Sequence, residues 1–497
     1  MDVTLSNPYA EAPGHEYLWL RGNLHAHSTR SDGRRAPQDV IDAYAARGYD
    51  FFALSDHDVL ASYEGLDSRG MVLIEANEVS ASGPHMLHVG ARKLVKPHAD
   101  RQQVINDIVE DGGFAIMNHP SWTMNFNHCS YEKLLELKNY IGIEIYNGSC
   151  EADRGSAYAL DKWDRLLSAG RVLWGFSNDD AHYADHDGRG WNVVRVPKSQ
   201  RTPAGVMDAL RRGAFYASTG VNIECIQTVG AKLRIVAPGA DAIEIIGDHG
   251  WRLCFVENGE LTWDAGAYAG SYIRAQCYGR AGRMAWTQPF FLRGGTFERL
   301  RELGRKKPVL TATRVRQTPN LNDDAAFANV PSDATFYRNG DAGAPEVSTS
   351  VQALVSPTHL VLGFKCEEPL MNQVRAECGD DDPNMWNDDG LEVFLDTEGK
   401  GTDYYHLIVN AAGKVVALHS SRSAEHVKVE RHLTKTSAGY AVRLAIPLKA
   451  LGDGLGAPGS KIGFHICRNR MAAKRHYFWA WVAGSNHNPT AYGILQF

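Results

Sequence analysis

The chain has 497 residues, of which 44% are apolar and 22% are charged, and its formal net charge is −6. A single hydrophobic core stops growing at roughly 250–300 residues, so this length predicts two to four domains. The composition excludes a chain that is disordered throughout, and the absence of any broad run of lysine and arginine excludes a general nucleic-acid binder.

The first residues of the chain predict neither export nor membrane insertion. They lack a basic start followed by an apolar core, and no apolar run reaches about 18 residues. We therefore expect a cytoplasmic protein that does not bind membranes, or a periplasmic or secreted one if a signal was trimmed. The eight cysteines are scattered without a C-x-x-C pair, which indicates buried thiols. The oligomeric state is left open.

From residue 17 to about residue 221 the chain alternates short apolar runs with amphipathic segments. A predicted strand at 18–20 leads to His25, and Pro37 then opens a helix that Gly48 ends. The unit repeats, with further strands predicted at 51–54, 71–74, 114–117, 141–145 and 172–176. This α/β alternation is typical of a parallel sheet with crossover helices, and about seven units predict a closed or distorted barrel.

Histidines and acids fall at the C-terminal ends of these predicted strands. His25 and His27 share one face of a strand because side chains alternate with period two, so both imidazoles can bind one ion. Four further clusters recur at strand ends, namely Asp56-His57, Glu78, Asn118-His119 and Asp180-Ala181-His182. Barrel enzymes assemble their active sites at this edge. Imidazole and carboxylate ligands together suit Zn, Mn or Fe, so the pattern predicts a metal centre.

Five stretches resemble the polymerase and histidinol phosphatase (PHP) family, and together they span residues 17–220. They are LHAHSTRSDG at 24–33, ALSDHD at 53–58, EANEVS at 75–80, NHP at 118–120 and NDDAH at 178–182. The resemblance implies a distorted (β/α)7 barrel with two or three divalent ions. The ligand sets that it implies are His25, His27, Glu78 and Asp180 for one ion, Glu78, His119 and a histidine of 83–88 for a second, and Asp32, His57 and His182 for a third.

The second set leaves two histidines open. His85 and His88 face opposite sides of a strand, so only one of them can be the ligand. We prefer His85, because it follows a Gly-Pro pair like the loop of the family.

Other polar residues near the strand ends are candidates for catalysis and substrate binding. Asp56 and Asp179 are predicted to orient ligating imidazoles, with capping of turns as the alternative. Glu144, a candidate catalytic group, is predicted to face the substrate. The predicted substrate-binding residues are Asn147, Arg30 and Arg189, the two arginines as partners of an anionic group, with solvation of a protein face as the alternative.

Neighbouring cations make hydrolysis the natural chemistry, because they acidify water and stabilise negative charge on oxygen. Residues 213–220 and the Ala285–Pro289 segment resemble the branch of the PHP family that includes carbamate hydrolases. We therefore predict a metal-dependent hydrolase of a small phosphoester, with a carbonyl ester, a carbamate or a carbohydrate-linked molecule as the alternative substrate. The alternative of another class is a carbohydrate-binding protein with an inactive barrel.

The remainder of the chain is predicted to be rich in β-structure. The predicted domains are the barrel at 1–222, a small β-sandwich at 223–293, a linker at 294–308 and a larger β-sandwich at 309–497. The last of these resembles family 9 carbohydrate-binding modules through residues 386–396 and 405–410. Aromatic faces stack on sugar rings, so the candidate sugar contacts are Trp386, Trp479 and Trp481, with core packing as the alternative for the last two. A structural calcium site is an alternative role for Asp388, Asp389 and Asp396.

Overall fold

A computed structural model describes residues 3–266, 268, 270–294, 303, 306–339, 342–482 and 486–497. The chain divides into two compact units, one of residues 1–266 and 270–294 and the other of residues 267–269 and 295–497. Of the predicted linker at 294–308, only residues 294, 303 and 306–308 lie among the described residues, so most of that prediction falls outside them.

The first unit contains the predicted alternation of strands and helices. Its helices are α1 (Pro37–Ala46), α2 (Arg101–Glu110), α3 (Tyr131–Glu136), α4 (Leu160–Ser168) and α5 (Pro203–Arg212). Asp100 caps α2 by accepting a hydrogen bond from the Gln102 amide, as expected for an acid at this position. Over the part of the chain that the structure describes, no helix has the length and apolar character needed to cross a bilayer.

The strands of the first unit are short and mostly buried. In chain order they are β1 (Thr4–Leu5), β2 (Tyr17–Asn23), β3 (Phe51–Phe52), β4 (Val72–Leu73), β5 (Ala76–Val79), β6 (Met86–Val89), β7 (Phe114–Met117), β8 (Gly142–Asn147), β9 (Trp174–Asn178), β10 (Trp191–Pro197), β11 (Phe215–Ser218), β12 (Cys225–Val229), β13 (Lys232–Val236), β14 (Ala242–Ile246), β15 (Arg252–Val256), β16 (Glu260–Asp264), β17 (Tyr272–Tyr278), β18 (Met284–Thr287) and β19 (Phe290–Arg293).

Two sheets carry the predicted site. One has the order β1-β19-β17-β18-β11-β10-β2-β3-β4, in which β2, β3 and β4 are parallel, and the other has the order β5-β6-β7-β8-β9, in which β7, β8 and β9 are parallel. The expectation of an all-parallel sheet is wrong at β6, which is antiparallel to both neighbours. The reason is local, because the six residues between β5 and β6 are too few for a crossover and permit only a hairpin.

Two isolated parallel bridges connect the edges of these sheets next to the predicted ligands. One joins His57 to Glu78 and the other joins Ala26 to Ala181. The segments that follow β2, β3 and β9 are therefore held against one another and against β5. This arrangement gathers the C-terminal ends of strands from both sheets at one place.

The small β-region does not form a unit of its own. β11 pairs with β18, and β14, β15, β17 and β19 extend the first sheet, while β12, β13 and β16 form a separate three-stranded sheet. The predicted boundary between residues 222 and 223 therefore does not separate compact units. Continuous strand pairing gives the two regions a common hydrogen-bond ladder, which no sequence pattern at the boundary signals.

The second unit is a β-sandwich with short helices at Ala325–Ala328 and Leu448–Leu451. Its strands are β20 (Val309–Thr311), β21 (Thr313–Arg314), β22 (Ser332–Asp333), β23 (Tyr337–Arg338), β24 (Thr349–Val355), β25 (His359–Glu367), β26 (Gly390–Asp396), β27 (Tyr405–Asn410), β28 (Val415–His419), β29 (Glu430–Thr436), β30 (Gly439–Pro447), β31 (Lys461–Arg470), β32 (Arg475–Phe478) and β33 (Gly493–Gln496). One sheet contains β20-β33-β31-β26-β27-β28 with β32 and β23, and the other contains β21-β24-β25-β30-β29 with β22. Apolar side chains of both sheets share one core, as predicted.

Candidate metal centre

One carboxylate, that of Glu78 on β5, lies among five imidazoles. Its Oε2 is 3.4 Å from His25 Nε2 and 2.9 Å from His57 Nδ1. Its Oε1 is 3.1 Å from His85 Nδ1 and 3.3 Å from His119 Nε2. Oε2 also lies 3.6 Å from His27 Nε2, so the two oxygens face two different groups of histidines, which is the geometry of a bridging carboxylate.

Asp180 completes the first of these groupings. Its Oδ1 lies 3.2 Å from His25 Nε2 and 3.0 Å from His27 Nε2. The four residues that the PHP resemblance assigns to one ion are thus brought together by the ends of β2, β5 and β9.

A third grouping lies at the more exposed side of the centre. Asp32 Oδ2 is 3.3 Å from His182 Nε2 and 3.6 Å from His57 Nε2. Its Oδ1 is 3.7 Å from His27 Nδ1. In each potential metal-binding group here, the ligand atoms lie within 4.8 Å of one another.

Several nitrogen and oxygen atoms at the middle of the cluster are better placed to bind a cation than to hydrogen-bond with one another. His25 Nε2, His57 Nδ1 and Glu78 Oε2 are buried, and none of them makes a hydrogen bond of ordinary geometry to a described residue, although imidazole and carboxylate atoms lie within 4 Å. A buried polar atom without a partner costs about 1–3 kcal/mol. These three atoms belong to two groups that share Glu78, and their nitrogen and oxygen ligands fit cation sites.

The backbone of two ligand residues is also strained. His119 has φ 26° and Asp180 has φ 53°, in the left-handed region that non-glycine residues seldom adopt. The Asp180 amide donates to the His25 carbonyl at 2.9 Å, and the His119 amide donates to Glu144 at 2.8 Å. The surrounding hydrogen bonds therefore hold both side chains in place at a conformational cost.

Charge pairs stabilise the centre when no ion is bound. Burial raises the pKa of Glu78 and of Asp180, but the charge of His25 and hydrogen bonds from the other histidines lower both well below their ordinary values. Burial lowers the pKa of His182, yet its hydrogen bond to Asp32 and the charge of Asp180 raise it to about 9. Metal binding at these residues therefore has to displace protons.

Glu144 lies beneath the centre rather than facing a substrate. Its Oε1 accepts hydrogen bonds from His25 Nδ1 at 2.8 Å and Asn178 Nδ2 at 2.9 Å. Its Oε2 accepts from the His119 amide at 2.8 Å and from Asn147 Nδ2 at 2.9 Å. The prediction that Glu144 and Asn147 face the substrate is wrong, because both are buried by these contacts. Glu144 instead fixes the ring of His25 so that Nε2 points into the cluster.

Asp56 and Asp179 do not orient any ligating imidazole. Asp56 accepts from the Ser28 amide and hydroxyl, both at 2.8 Å, and from the Ser31 hydroxyl, so it shapes the turn after His27. Asp179 accepts from the amides of residues 188–190 and from Tyr44 Oη, each at 2.7 Å. Burial nevertheless raises the pKa of Asp179 to about 6. Both residues therefore have the role that the sequence analysis offered as the alternative, which is to stabilise a turn.

The structure places the two open histidines on opposite sides of β6. His85 contacts Glu78, as preferred from the sequence, whereas His88 lies 3.3 Å from Asp111 and away from the centre. No role was predicted for His128, whose Nε2 accepts a hydrogen bond from the His85 amide at 2.9 Å. His128 stands alone in a loop, outside any motif, so no sequence pattern indicated that it lies next to the centre.

A cavity of about 380 Å³ opens above the cluster. Its lining comprises Asp32, His57, Glu78, His85, His119, Trp122, Ser149, Cys150, Ala152, Asp153, Asp180, His182, Tyr183 and His186. Neither predicted arginine is part of this lining. The Arg30 guanidinium donates to the Ser62 carbonyl and that of Arg189 to the carbonyls of Gly148 and Asp185, so both stabilise loops instead.

The predicted sugar contacts of the second unit separate into two kinds. Trp386 is 49% exposed, whereas Trp479 is 0% and Trp481 4% exposed. Trp479 packs on Phe464 in the sandwich core and donates from Nε1 to Asp333 at 3.0 Å. The prediction of sugar contact is therefore wrong for Trp479 and Trp481, and core packing is their role.

The acidic residues near Trp386 do not form the predicted calcium site. The oxygens of Asp388 accept from the amides of Glu377 and Cys378, and those of Asp389 accept from the amides of Arg375 and Ala472. Those of Asp396 accept from the amides of Gly399 and Gly401. These carboxylate oxygens accept hydrogen bonds from backbone amides and so stabilise loops. None of the three residues belongs to a potential metal-binding group among the described residues.

Comparison with known proteins finds relatives of both halves of the chain. Residues 322–497 match the model of the family described as carbohydrate family 9 binding domain-like. A stretch of 72 residues is 39% identical to the 3′,5′-nucleoside bisphosphate phosphatase of Chromobacterium violaceum. That stretch covers 14% of this chain and only a quarter (25%) of the length of this curated relative.

Solved structures similar to the chain fall into the same two groups. A two-domain protein of Bacteroides vulgatus, described as containing a predicted PHP-like metal-dependent phosphoesterase, is 18% identical, with a TM-score of 0.36 over 56% of this chain and 89% of its own. A family 9 carbohydrate-binding module of Caldicellulosiruptor kristjanssonii, solved with glucose, is 14% identical, with a TM-score of 0.31 over 38% of this chain and 95% of its own. Both resemblances noted in the sequence are found among these relatives.

Proposed function

We propose that the first unit is a metal-dependent hydrolase that uses two or three divalent ions, Zn, Mn or Fe, against a small phosphoester. The observation that carries the proposal is the gathering of imidazole and carboxylate ligand atoms within 4.8 Å of one another around Glu78, in groups whose members His57, Glu78, His85 and Asp180 line an open cavity. We also propose that the two sheets, joined by their parallel bridges, are the distorted (β/α)7 barrel that the sequence predicts.

The residues present fit three ions with shared ligands. His25, His27, Glu78 and Asp180 would hold the first, Glu78, His85 and His119 the second, and Asp32, His57 and His182 the third. When bound, such ions acidify water and stabilise negative charge on the attacked and departing oxygens.

The protein's own groups direct the ligands. Glu144 accepts from His25 Nδ1, and the Asp180 carbonyl lies 2.8 Å from His182 Nδ1, so in both rings Nε2 keeps its lone pair for the cluster. Asn118 donates to Glu78 Oε1 at 2.6 Å and holds that carboxylate between the histidines. In the reaction, water forms the new P–O bond, the P–O bond to the leaving group breaks, and the leaving alcohol takes a proton.

The likeness to the bisphosphate phosphatase favours a phosphoester over a carbonyl ester or carbamate. The test is turnover of p-nitrophenyl phosphate, bis-p-nitrophenyl phosphate, and an aryl acetate or carbamate, with metal content measured on the same protein. We expect phosphate release that a chelator abolishes and added metal restores. Metal-free protein without chelator-sensitive turnover would refute the proposal, and turnover of only the carbonyl substrates would change the substrate class.

A matched pair of histidine variants tests the site itself. His119→Ala removes a group that faces Glu78 and should lower kcat/KM by about 100-fold or more. His88→Ala removes a buried histidine of the same region that points to Asp111, and it should keep its metal content and turnover. Equal turnover in the two variants would contradict the assignment.

We further propose that the second unit binds sugar through Trp386. The family match over residues 322–497 and the half-exposed indole support this proposal. Trp386→Ala should abolish the retention of the protein on an oligosaccharide column without lowering Tm, whereas Trp479→Phe should lower Tm and keep retention. Unchanged retention of Trp386→Ala would refute the role.

A further inference from the structure

One wall of the cavity is built from two loops that are fixed to each other. Trp122 forms an antiparallel bridge with Gly155, and its Nε1 donates to Asp153 Oδ2 at 2.9 Å. The Thr123 amide donates to the Arg154 carbonyl, and the Ser156 amide to the Ser121 carbonyl. Trp122 and Asp153 therefore enter the cavity as one preorganised pair, although they are 31 residues apart in the chain.

The charge of the lining differs between the cluster and this wall. The acids that line the cavity are Asp32, Glu78, Asp180 and Asp153, and only the first three belong to the metal-binding groups. The described lining residues include no lysine or arginine. Bound ions would compensate the three acids of the cluster, while Asp153 keeps its negative charge beside Trp122.

The charges of the cavity lining restrict the kind of leaving group that a substrate can carry. The reacting phosphate would be held at the ions, so the leaving group extends towards the wall. A second phosphate there would meet the Asp153 carboxylate and no lysine or arginine of the described lining, which disfavours it. An aromatic ring next to a carboxylate instead suits a neutral ring with hydroxyl groups, because the ring stacks and the carboxylate accepts from the hydroxyls.

We propose that Trp122 and Asp153 form a subsite for a neutral, hydroxylated leaving group, so that the substrate is a monophosphate ester of a sugar or sugar-like alcohol. This proposal rests on the proposed hydrolase function and names its substrate class. It separates this chain from the bisphosphate substrate that the name of its curated relative states.

The first test compares four substrates on the metal-loaded wild-type protein. They are a hexose monophosphate, ethyl phosphate, a nucleoside 5′-monophosphate and a nucleoside 3′,5′-bisphosphate. We expect kcat/KM for the hexose monophosphate to exceed that for ethyl phosphate by about tenfold or more, and that for the bisphosphate to fall below that for the monophosphate. A preference for the bisphosphate, or equal rates for hexose phosphate and ethyl phosphate, would overturn the proposal.

The second test uses variants whose readout is a ratio between substrates. Trp122→Ala should lower the ratio of hexose phosphate to ethyl phosphate about tenfold, and Trp122→Phe, which keeps an aromatic face, should retain it within about threefold. A loss in Trp122→Phe as large as that in Trp122→Ala would overturn stacking. Metal content, measured in parallel, shows that the centre is intact in each variant.

A further pair of variants tests the negative charge of Asp153. Asp153→Asn should raise the ratio of bisphosphate to monophosphate turnover about three- to tenfold, because it removes the repelling charge. Glu151→Gln makes the same change in charge two residues away, outside the cavity lining, and should leave that ratio unchanged. Equal effects of both variants would refute a local role of Asp153.

The outcomes also separate this inference from the function on which it rests. No chelator-sensitive hydrolysis of any phosphate ester would refute the hydrolase function. Chelator-sensitive hydrolysis with the opposite substrate preference would refute only the subsite.

Discussion

Glu144 and Asp179 form a matched pair of buried carboxylates that should respond differently to the same change. Each accepts four hydrogen bonds. Glu144 lies within β8, and Asp179 directly follows β9. Replacement by the amide turns one oxygen into an NH₂ group that faces N–H donors. We therefore expect Glu144→Gln and Asp179→Asn to lose about two hydrogen bonds each, at about 1–3 kcal/mol per unpaired group.

Only the first variant should weaken metal binding. Glu144 holds the ring of His25 and the amide of His119, whereas Asp179 holds residues 188–190 and Tyr44. Loss of a group that orients a ligating histidine lowers metal affinity about 10- to 100-fold, or about 1.4–2.7 kcal/mol. Asp179→Asn should destabilise the fold to a similar degree and keep the wild-type affinity.

The assay is a titration of metal-free protein with Zn²⁺ or Mn²⁺ against a competing chelator, with Tm measured on the same samples. A greater loss of affinity in Asp179→Asn than in Glu144→Gln would refute the assignment of the two roles. Equal Tm values for wild type and both variants would refute the estimate of hydrogen-bond energy.

Three further predictions concern single residues. Asp32→Ala removes the carboxylate between His57 and His182, so elemental analysis of the metal-loaded variant should find one ion fewer; unchanged stoichiometry would contradict a third site. His128→Ala leaves the His85 amide unpaired and should weaken metal binding, while His128→Gln, whose amide oxygen can accept, should restore it. An equal loss in both variants would contradict this hydrogen-bond role, since His128 also lies in a potential metal-binding group with His85 and His119. Burial lowers the pKa of His465 to about 4, below the roughly 6.5 of the unfolded chain, so the unfolded chain binds the proton first as pH falls. The contribution of His465 to the free energy of unfolding should drop by about 3 kcal/mol between pH 6.5 and 4. His465→Gln should therefore make the pH slope in urea unfolding shallower by that amount, and an unchanged slope would contradict the assignment.

Much of the fold followed from local patterns. The strand predicted at 114–117 is β7, and the helix predicted to begin at Pro37 is α1. The direction of β6 and the joining of the small β-region to the first sheet did not follow. Both depend on which strands pair, and pairing partners are chosen by contacts between distant segments rather than by the pattern within a segment.

From the sequence alone, period-two spacing and strand ends predict that imidazoles and carboxylates meet at one edge, and the PHP resemblance implies which of them share an ion. What each neighbouring carboxylate does was decided only by the tertiary structure. Glu144, Asp56 and Asp179 look alike in the sequence, and they differ in the donors that surround them, some of which lie more than 100 residues away. A buried carboxylate acquires its role from the groups that satisfy its lone pairs, and those groups come together only when the chain has folded.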